Sequence, residues 1–309
     1  MMQAYINIQK NSFLLNRIKI YRHPLTIKNT VMKPLQILML TDFSELSMVA
    51  LQFGARISNS IDAEYTVLNV LRLDGLPKSN IHMKSIEKSM KDVTEQEGAE
   101  LIKQIASYAK AGSKFTFKSL KGHTVGDAVN RYTQKNHVDL VILGSQGASS
   151  LKKFRLGGTA VSVIESSTAP VLAIPKFAAY WNFTNVVYAT DLSNVEQELE
   201  TIIPFAKIFN SNLRMVHVVP VVDKKVESRR IEVEKLIQKV KYPNLSFQLL
   251  IDDDIPEAID RFIRETKADL LTTFTHELNL YEKLFGLSVT RTIAYQGNIP
   301  LLAFKRRKK

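Results

Sequence analysis

Between Gly144 and Ala160 the chain reads GSQGASSLKKFRLGGTA, and residues of these types at this spacing suit the holding of a phosphate. Gly144, Gly147, Gly157 and Gly158 leave the backbone open to close approach, where a side chain would intrude or forbid a positive φ. The stretch follows an apolar run, DLVILGS, and leads into GGTAVSVIESS, which has helical character. A glycine loop that runs into a helix N-terminus presents backbone N–H groups and a partial positive charge to an anion. The competing reading is a loose strand-to-helix turn with no ligand. Lys152, Lys153 and Arg155, between the glycine pairs, read as a solvated face rather than a clamp. No Gly-Lys-Ser/Thr follows, so this is not a Walker loop, and it follows a fourth strand rather than the first, so it is not a dinucleotide fingerprint.

Other residues with chemical potential are fewer. Asp42 ends a strand-like run and has two readings, a ligand contact or a cap for the following helix. Asp252, Asp253 and Asp254 form a run that invites a divalent cation, but it lacks the glycine turn and closing glutamate of an EF-hand loop, and capping by Asp254 is the preferred reading. The six histidines show no metal-ligand spacing, and His217, inside a strand, reads as a satisfied core residue. There is no cysteine, hence no disulfide or thiol chemistry, and no Gly-x-Ser-x-Gly elbow.

The elements that must carry these residues occur twice. PLQILMLTDFSELS (34–47) matches FTNVVYATDLSNVE (183–196), pairing Asp42 with Asp191 and Ser44 with Ser193. EYTVLNV matches NLRMVHV, DLVILGSQG matches DLLTTFTHE, and APVLAIPK matches IPLLAFKR. The second copy is shorter by about one long helix, between its second and third strands. At the glycine positions it has Phe274, Glu277 and Leu287, with Ser288 beside them. Within each copy, short β-branched runs alternate with longer stretches of helical spacing. In the first copy Ile86, Met90, Val93, Leu101, Ile105 and Tyr108 fall near one helical face; in the second Val226, Val233, Ile237 and Val240 do. Five strands alternating with four helices imply right-handed crossovers and an open parallel sheet covered on both faces. The fold class is therefore α/β, with two tandem open five-stranded parallel sheets over residues 34–176 and 183–305. The terminal strands, 170–175 and 300–305, each leave an open edge, so they are expected to lie antiparallel about a pseudo-twofold axis within one chain. Trp181, in the connector, is expected to pack at that junction.

The chain has 309 residues and a net charge of +12. Residues 1–33 hold six basic residues and no acid, and residues 305–309, KRRKK, five more, so the remainder is close to neutral. The charge belongs to the ends and argues against a nucleic-acid face. Residues 1–33 read as an extension outside the fold. Their lack of acids also resembles an organellar transit peptide, but Met32 stands directly before the first strand, and the extension is preferred. No apolar run approaches the roughly 18 residues of a membrane span. Together with the absence of cysteine, this gives an expected cytoplasmic location.

Gly144-x-x-Gly147, nine residues, then Gly157, after a fourth strand, resembles the nucleotide-binding signature of the universal stress proteins. The Thr-Asp-Phe-Ser at strand one, Leu-Asn-Val at strand two and Pro-Val-Leu-Ala-Ile-Pro at strand five fit as well. The resemblance implies an adenine nucleotide alpha hydrolase-like, Rossmann-like fold, here as a tandem pseudo-dimer over residues 34–305. It implies that Asp42 bonds the ribose or adenine edge with Thr41 beside it, that Val70 lines the adenine pocket, and that Gly144, Gly147 and Gly157 offer N–H groups to ribose and phosphates. The family's hydroxyl residue after the last glycine is Gly158 here, with Thr159 one residue on. The implied function is a stress-response module that binds ATP or another adenine nucleotide, with Mg²⁺ as its companion ion, in the first half only, and works through a protein partner without strong catalysis. The alternatives are a weak ATP hydrolase on the same fold and a nucleotide-free interaction scaffold.

Overall fold

The computed structural model describes residues 33–72, 80–145, 156–178, 182–220, 226–275 and 299–305. Gly147, Lys152, Lys153, Arg155, Trp181, Glu277, Leu287 and Ser288 lie outside the described residues, as do residues 1–32.

The first half runs β1 (Leu35–Thr41), α1 (Glu45–Ile57), β2 (Ala63–Leu71), α2 (Asn80–Ala106), β3 (Lys114–Lys121), α3 (Val125–Lys135), β4 (Leu140–Gly144), α4 (Gly158–Ser166) and β5 (Val171–Ile174). The second repeats it as β6 (Asn185–Ala189), α5 (Val195–Ile208), β7 (Asn212–Val219), α6 (Val226–Ile237), β8 (Leu245–Ile251), α7 (Ile255–Thr266), β9 (Leu270–Thr275) and β10 (Leu301–Lys305). The shortening of the second copy falls where the sequence puts it, since α2 has 27 residues and α6 has 12.

The two five-stranded halves join into one sheet, as the expected antiparallel pairing of their terminal strands requires. Ten strands follow the order β3-β2-β1-β4-β5-β10-β9-β6-β7-β8. Within each half the pairing is parallel, and at the centre β5 and β10 pair antiparallel with Leu172 opposite Leu302. The edges that β5 and β10 would leave open are thus closed on each other, as the terminal strands' apolar sequences foretell.

Side chains alternate across the strands into two apolar layers. Ile37 and Met39 join Leu51, Phe53, Leu101 and Ile105 from α1 and α2, and Leu199, Ile202 and Val233 from α5 and α6. Leu38 and Leu40 join Val129, Val163 and Ile164 from α3 and α4, and Ala258 and Phe262 from α7. Both layers pass across the β5–β10 seam, where Leu172 and Leu302 lie in the first and Val171 and Leu301 in the second. Phe183 adds to the join, with its ring 5.9 Å from that of Phe53 in α1 and 5.0 Å from Phe209 after α5.

One helical face differs from expectation. Val93 points to solvent at 54 % exposure, while Thr94, Gly98, Leu101 and Ile105 are buried. The reason is Phe117 of β3, which lies so close under α2 that a Cβ at Gly98 would stand 2.4 Å from its ring. The glycine lets the helix settle on the aromatic ring, which turns Val93 outward.

Candidate functional site

The strand order places a topological switch point between β1 and β4, because the chain moves outward from β1 to β2 on one side and returns to β4 on the other. Ligand crevices in open α/β sheets form beyond the carboxyl ends of strands at such points. Met39 faces Ile142 in the β1–β4 ladder, and continuing that register sets Thr41 opposite Gly144. On the other side Thr41 pairs with Asn69, so Asp42 comes level with Val70. Thr41, Asp42, Val70 and Gly144 therefore gather at one end of the sheet although they come from three strands.

The turn out of β1 is built by its own side chains. The Thr41 hydroxyl accepts the Phe43 N–H at 3.0 Å, and Phe43 takes a left-handed conformation with φ 61°. Such a φ is uncommon for a bulky residue, and here the flanking hydrogen bonds hold it. Asp42 Oδ1 accepts the N–H of Ser44 at 3.1 Å and its hydroxyl. Ser44, in turn, caps α1 by accepting the Ser47 N–H at 3.2 Å. Of the two readings of Asp42, ligand contact or cap, the cap falls instead to Ser44; Asp42 positions it and is itself exposed. Asp254, by contrast, caps α7 as expected, accepting from the Glu257 N–H at 3.2 Å. Its neighbour Asp252 pairs with Arg261 at 2.7 Å. No cluster of metal-ligating side chains occurs among the described residues.

The carboxyl end of β1 carries a contact that the sequence reading missed. Asn69, buried in β2, donates from Nδ2 to the Thr41 carbonyl at 3.0 Å. In the second half His217 stands at the matching position and its Nδ1 lies 2.8 Å from the Thr190 carbonyl. A carbonyl only accepts, so Nδ1 carries the proton. His217 is a buried core residue, as expected, held to the end of β6 through Nδ1. The available signal was a polar residue at the same place in two otherwise apolar strands.

On the β4 side, the chain leaves at Ser145 and returns at Gly157, whose N–H donates to the Ser145 carbonyl at 2.7 Å. Gly157 is the N-cap of α4 and makes no side-chain cap bond. The first intrahelical bond runs from the Val161 N–H to the Gly157 carbonyl, so the preceding first-turn N–H groups have no partner within the helix. Gly158 and Thr159 are exposed there, and a Cβ at Gly158 would meet nothing within 4 Å. Of the glycine set, the structure brings Gly144, Gly157 and Gly158 together around one closed loop mouth.

The second half repeats the β1 turn and alters the β4 side. Thr190 Oγ1 accepts the Leu192 N–H at 3.0 Å, Leu192 has φ 64°, and Asp191 holds the Ser193 N–H at 2.9 Å. Continuing the register of Ala189 with Thr273 sets Phe274 opposite Thr190. Phe274 is buried, stacked on Phe304 with centroids 4.9 Å apart and edge-on to Tyr188 at 5.7 Å. Tyr188 and Thr190 both donate to the buried carboxylate of Glu198. Where the first half has the bare backbone of Gly144, the second has a packed ring.

Residues 35–175 match the family described as the universal stress protein family. A universal stress protein of Methanocaldococcus jannaschii is 27% identical over 168 residues, covering 54% of this chain and 97% of that protein. A universal stress protein of Synechocystis is 35% identical over 63 residues, covering 20% of this chain and 22% of that protein. Among solved structures, a universal stress protein from Archaeoglobus fulgidus aligns over 88% of this chain and 98% of its own, with a TM-score of 0.62 at 20% identity. That likeness establishes the fold over both halves. Residues 35–175 of the chain are thus similar to the universal stress protein family, and the second half repeats the same α/β architecture.

Proposed function

We propose that the first half binds an adenine nucleotide, ATP foremost, and that the second half does not. The observation that carries this reading is the contrast at one register position, the backbone of Gly144 opposite Thr41 against the buried ring of Phe274 opposite Thr190. In this reading Thr41 and Asp42 meet the ribose or adenine edge and Val70 borders the base. Gly144, Gly147 and Gly157 give their N–H groups to ribose and phosphates, with Gly158 and Thr159 at the opening of α4. Backbone N–H donors at a helix start suit phosphate oxygens. Any Mg²⁺ enters with the nucleotide as its counter-ion.

The protein then acts as a cytoplasmic nucleotide-responsive binding module toward a protein partner, without appreciable turnover. Calorimetry with ATP tests the binding: one site per chain is expected, lost on Gly147→Glu, which adds bulk and a like charge to the loop. Two sites, or no effect of that change, refutes the assignment. Steady-state ATP turnover above the rate of a buffer blank would replace the binding module with an ATP hydrolase.

A further inference from the structure

Helix α4 has 9 residues, and a helix this short does not hold itself in water. Packing holds it, and part of that packing comes from the other copy. On one flank, α3 approaches so closely that a Cβ at Gly126 would stand 2.2 Å from Ser162 Oγ, and Ser166 donates its hydroxyl to the Gly126 carbonyl at 3.0 Å. On the other flank lies β10 of the second half. Ala160, Val163 and Ile164 share an apolar cluster with Leu301 and Ala303 of that strand. At its end, Lys305 Nζ donates to the Glu165 carbonyl at 3.0 Å. That carbonyl lies in the last turn of α4, where carbonyls lack intrahelical donors and where α4 supplies no basic residue of its own.

We propose that Lys305 is a positioning residue for the anion site of the first half, supplied by the second half. The inference rests on the nucleotide reading above. Lys305 ties the last turn of α4 to β10 and so fixes where its first turn, Gly157 to Thr159, points at the crevice. A cation at a helix C-terminus also completes the helix dipole whose positive end faces the ligand. The repeat supplies an independent argument: the residue matching Lys305 in the first half is Pro175, which has no amine to give. The anchoring lysine therefore serves the half that keeps its glycines, and the aligned position in that half, Pro175, offers no amine in return. By this account the second copy persists as a support for the first copy's site.

The test uses the full chain as wild type, Lys305→Met and Lys305→Arg, with ATP binding by calorimetry and amide exchange over residues 158–166. Lys305→Met is expected to weaken ATP binding about two- to fivefold, the range of a helix-terminal charge, and to speed exchange in α4 while β1 to β3 stay protected. Lys305→Arg is expected to restore both. A lowered melting temperature with unchanged affinity makes Lys305 a structural contact and overturns the proposal, as does unchanged exchange in α4. A wild-type chain that binds no ATP overturns the nucleotide reading instead, and the exchange arm still decides whether Lys305 holds α4.

Discussion

Asp42 and Asp191 make the same two hydrogen bonds, to the N–H and hydroxyl of the serine two residues on, so the first task of this aspartate is local. It holds a turn in which a Phe or a Leu sits at positive φ. Asp42→Ala and Asp191→Ala should each destabilise the chain by about 1 kcal/mol, the worth of a side chain that orders a helix start, measured by denaturant melts. Only Asp42→Ala should also weaken ATP binding; equal loss from both would show that the effect travels through folding alone. Two other aspartates separate by environment. Burial pushes the Asp269 carboxyl up, against the pull of the Asn185 and Thr184 N–H groups, while the hydrogen bond from Arg261 holds Asp252 below the ordinary range. As pH falls from neutral, Asp269 protonates first. Its folded form binds the proton more tightly than the unfolded chain does, so this step favours folding. Asp252 protonates later, and the stability from its pairing disappears as pH drops through its lowered pKa. Carboxyl carbon shifts followed by NMR should place Asp269 above, and Asp252 below, the usual value of about 3.9.

At the level of elements, close approach of helix to sheet and of helix to helix depends on single glycines. Gly98 admits the Phe117 ring under α2, and Gly126 admits Ser162 and Ser166 of α4 against α3. Alanine at either position removes helical glycine, which alone would help by up to about 1 kcal/mol. The added Cβ instead meets atoms at 2.4 Å and 2.2 Å, and overpacking of this kind costs about 1–3 kcal/mol. Both variants should therefore melt earlier, whereas Gly158→Ala, whose Cβ meets nothing, should melt at the same temperature or slightly later. Thermal melts of the three decide the matter, and an earlier melt for Gly158→Ala alone would contradict the geometry.

The whole molecule is joined through β5 and β10. Leu172 pairs with Ile142 in β4 on one side and with Leu302 in β10 on the other, and is fully buried. Proline there removes a backbone donor from the middle of a sheet, which strands tolerate only at edges, and the buried acceptor left unsatisfied alone should cost about 1–3 kcal/mol. Because both apolar layers run through this seam, the wild-type chain should unfold as one unit. Leu172→Pro should replace that with separate or earlier unfolding of the halves, read by calorimetry with limited proteolysis near residues 176–183. A single unshifted transition would mean that the halves do not depend on the seam.

The sequence by itself determined much of this: the repeat, the α/β class, the helix shortened between the second and third strands, the antiparallel meeting of the terminal strands, and the end of the sheet where Thr41, Asp42, Val70 and Gly144 belong. These follow from local periodicity and from comparing one half with the other, and both are written along the chain. The tertiary structure decided what depends on residues far apart in sequence. It fixed the register at which the terminal strands meet, with Leu172 opposite Leu302 in a ten-stranded sheet, because register depends on how both halves pack at once. It turned Val93 outward, because Phe117 claims the face that spacing alone assigns to the helix. It gave the α1 cap to Ser44 rather than Asp42, since which oxygen reaches the Ser47 N–H is set by backbone dihedrals that residue type does not specify. And it brought Lys305 to the end of α4 across 140 residues of chain, a contact with no periodicity to announce it, because only the folded seam puts the two next to each other.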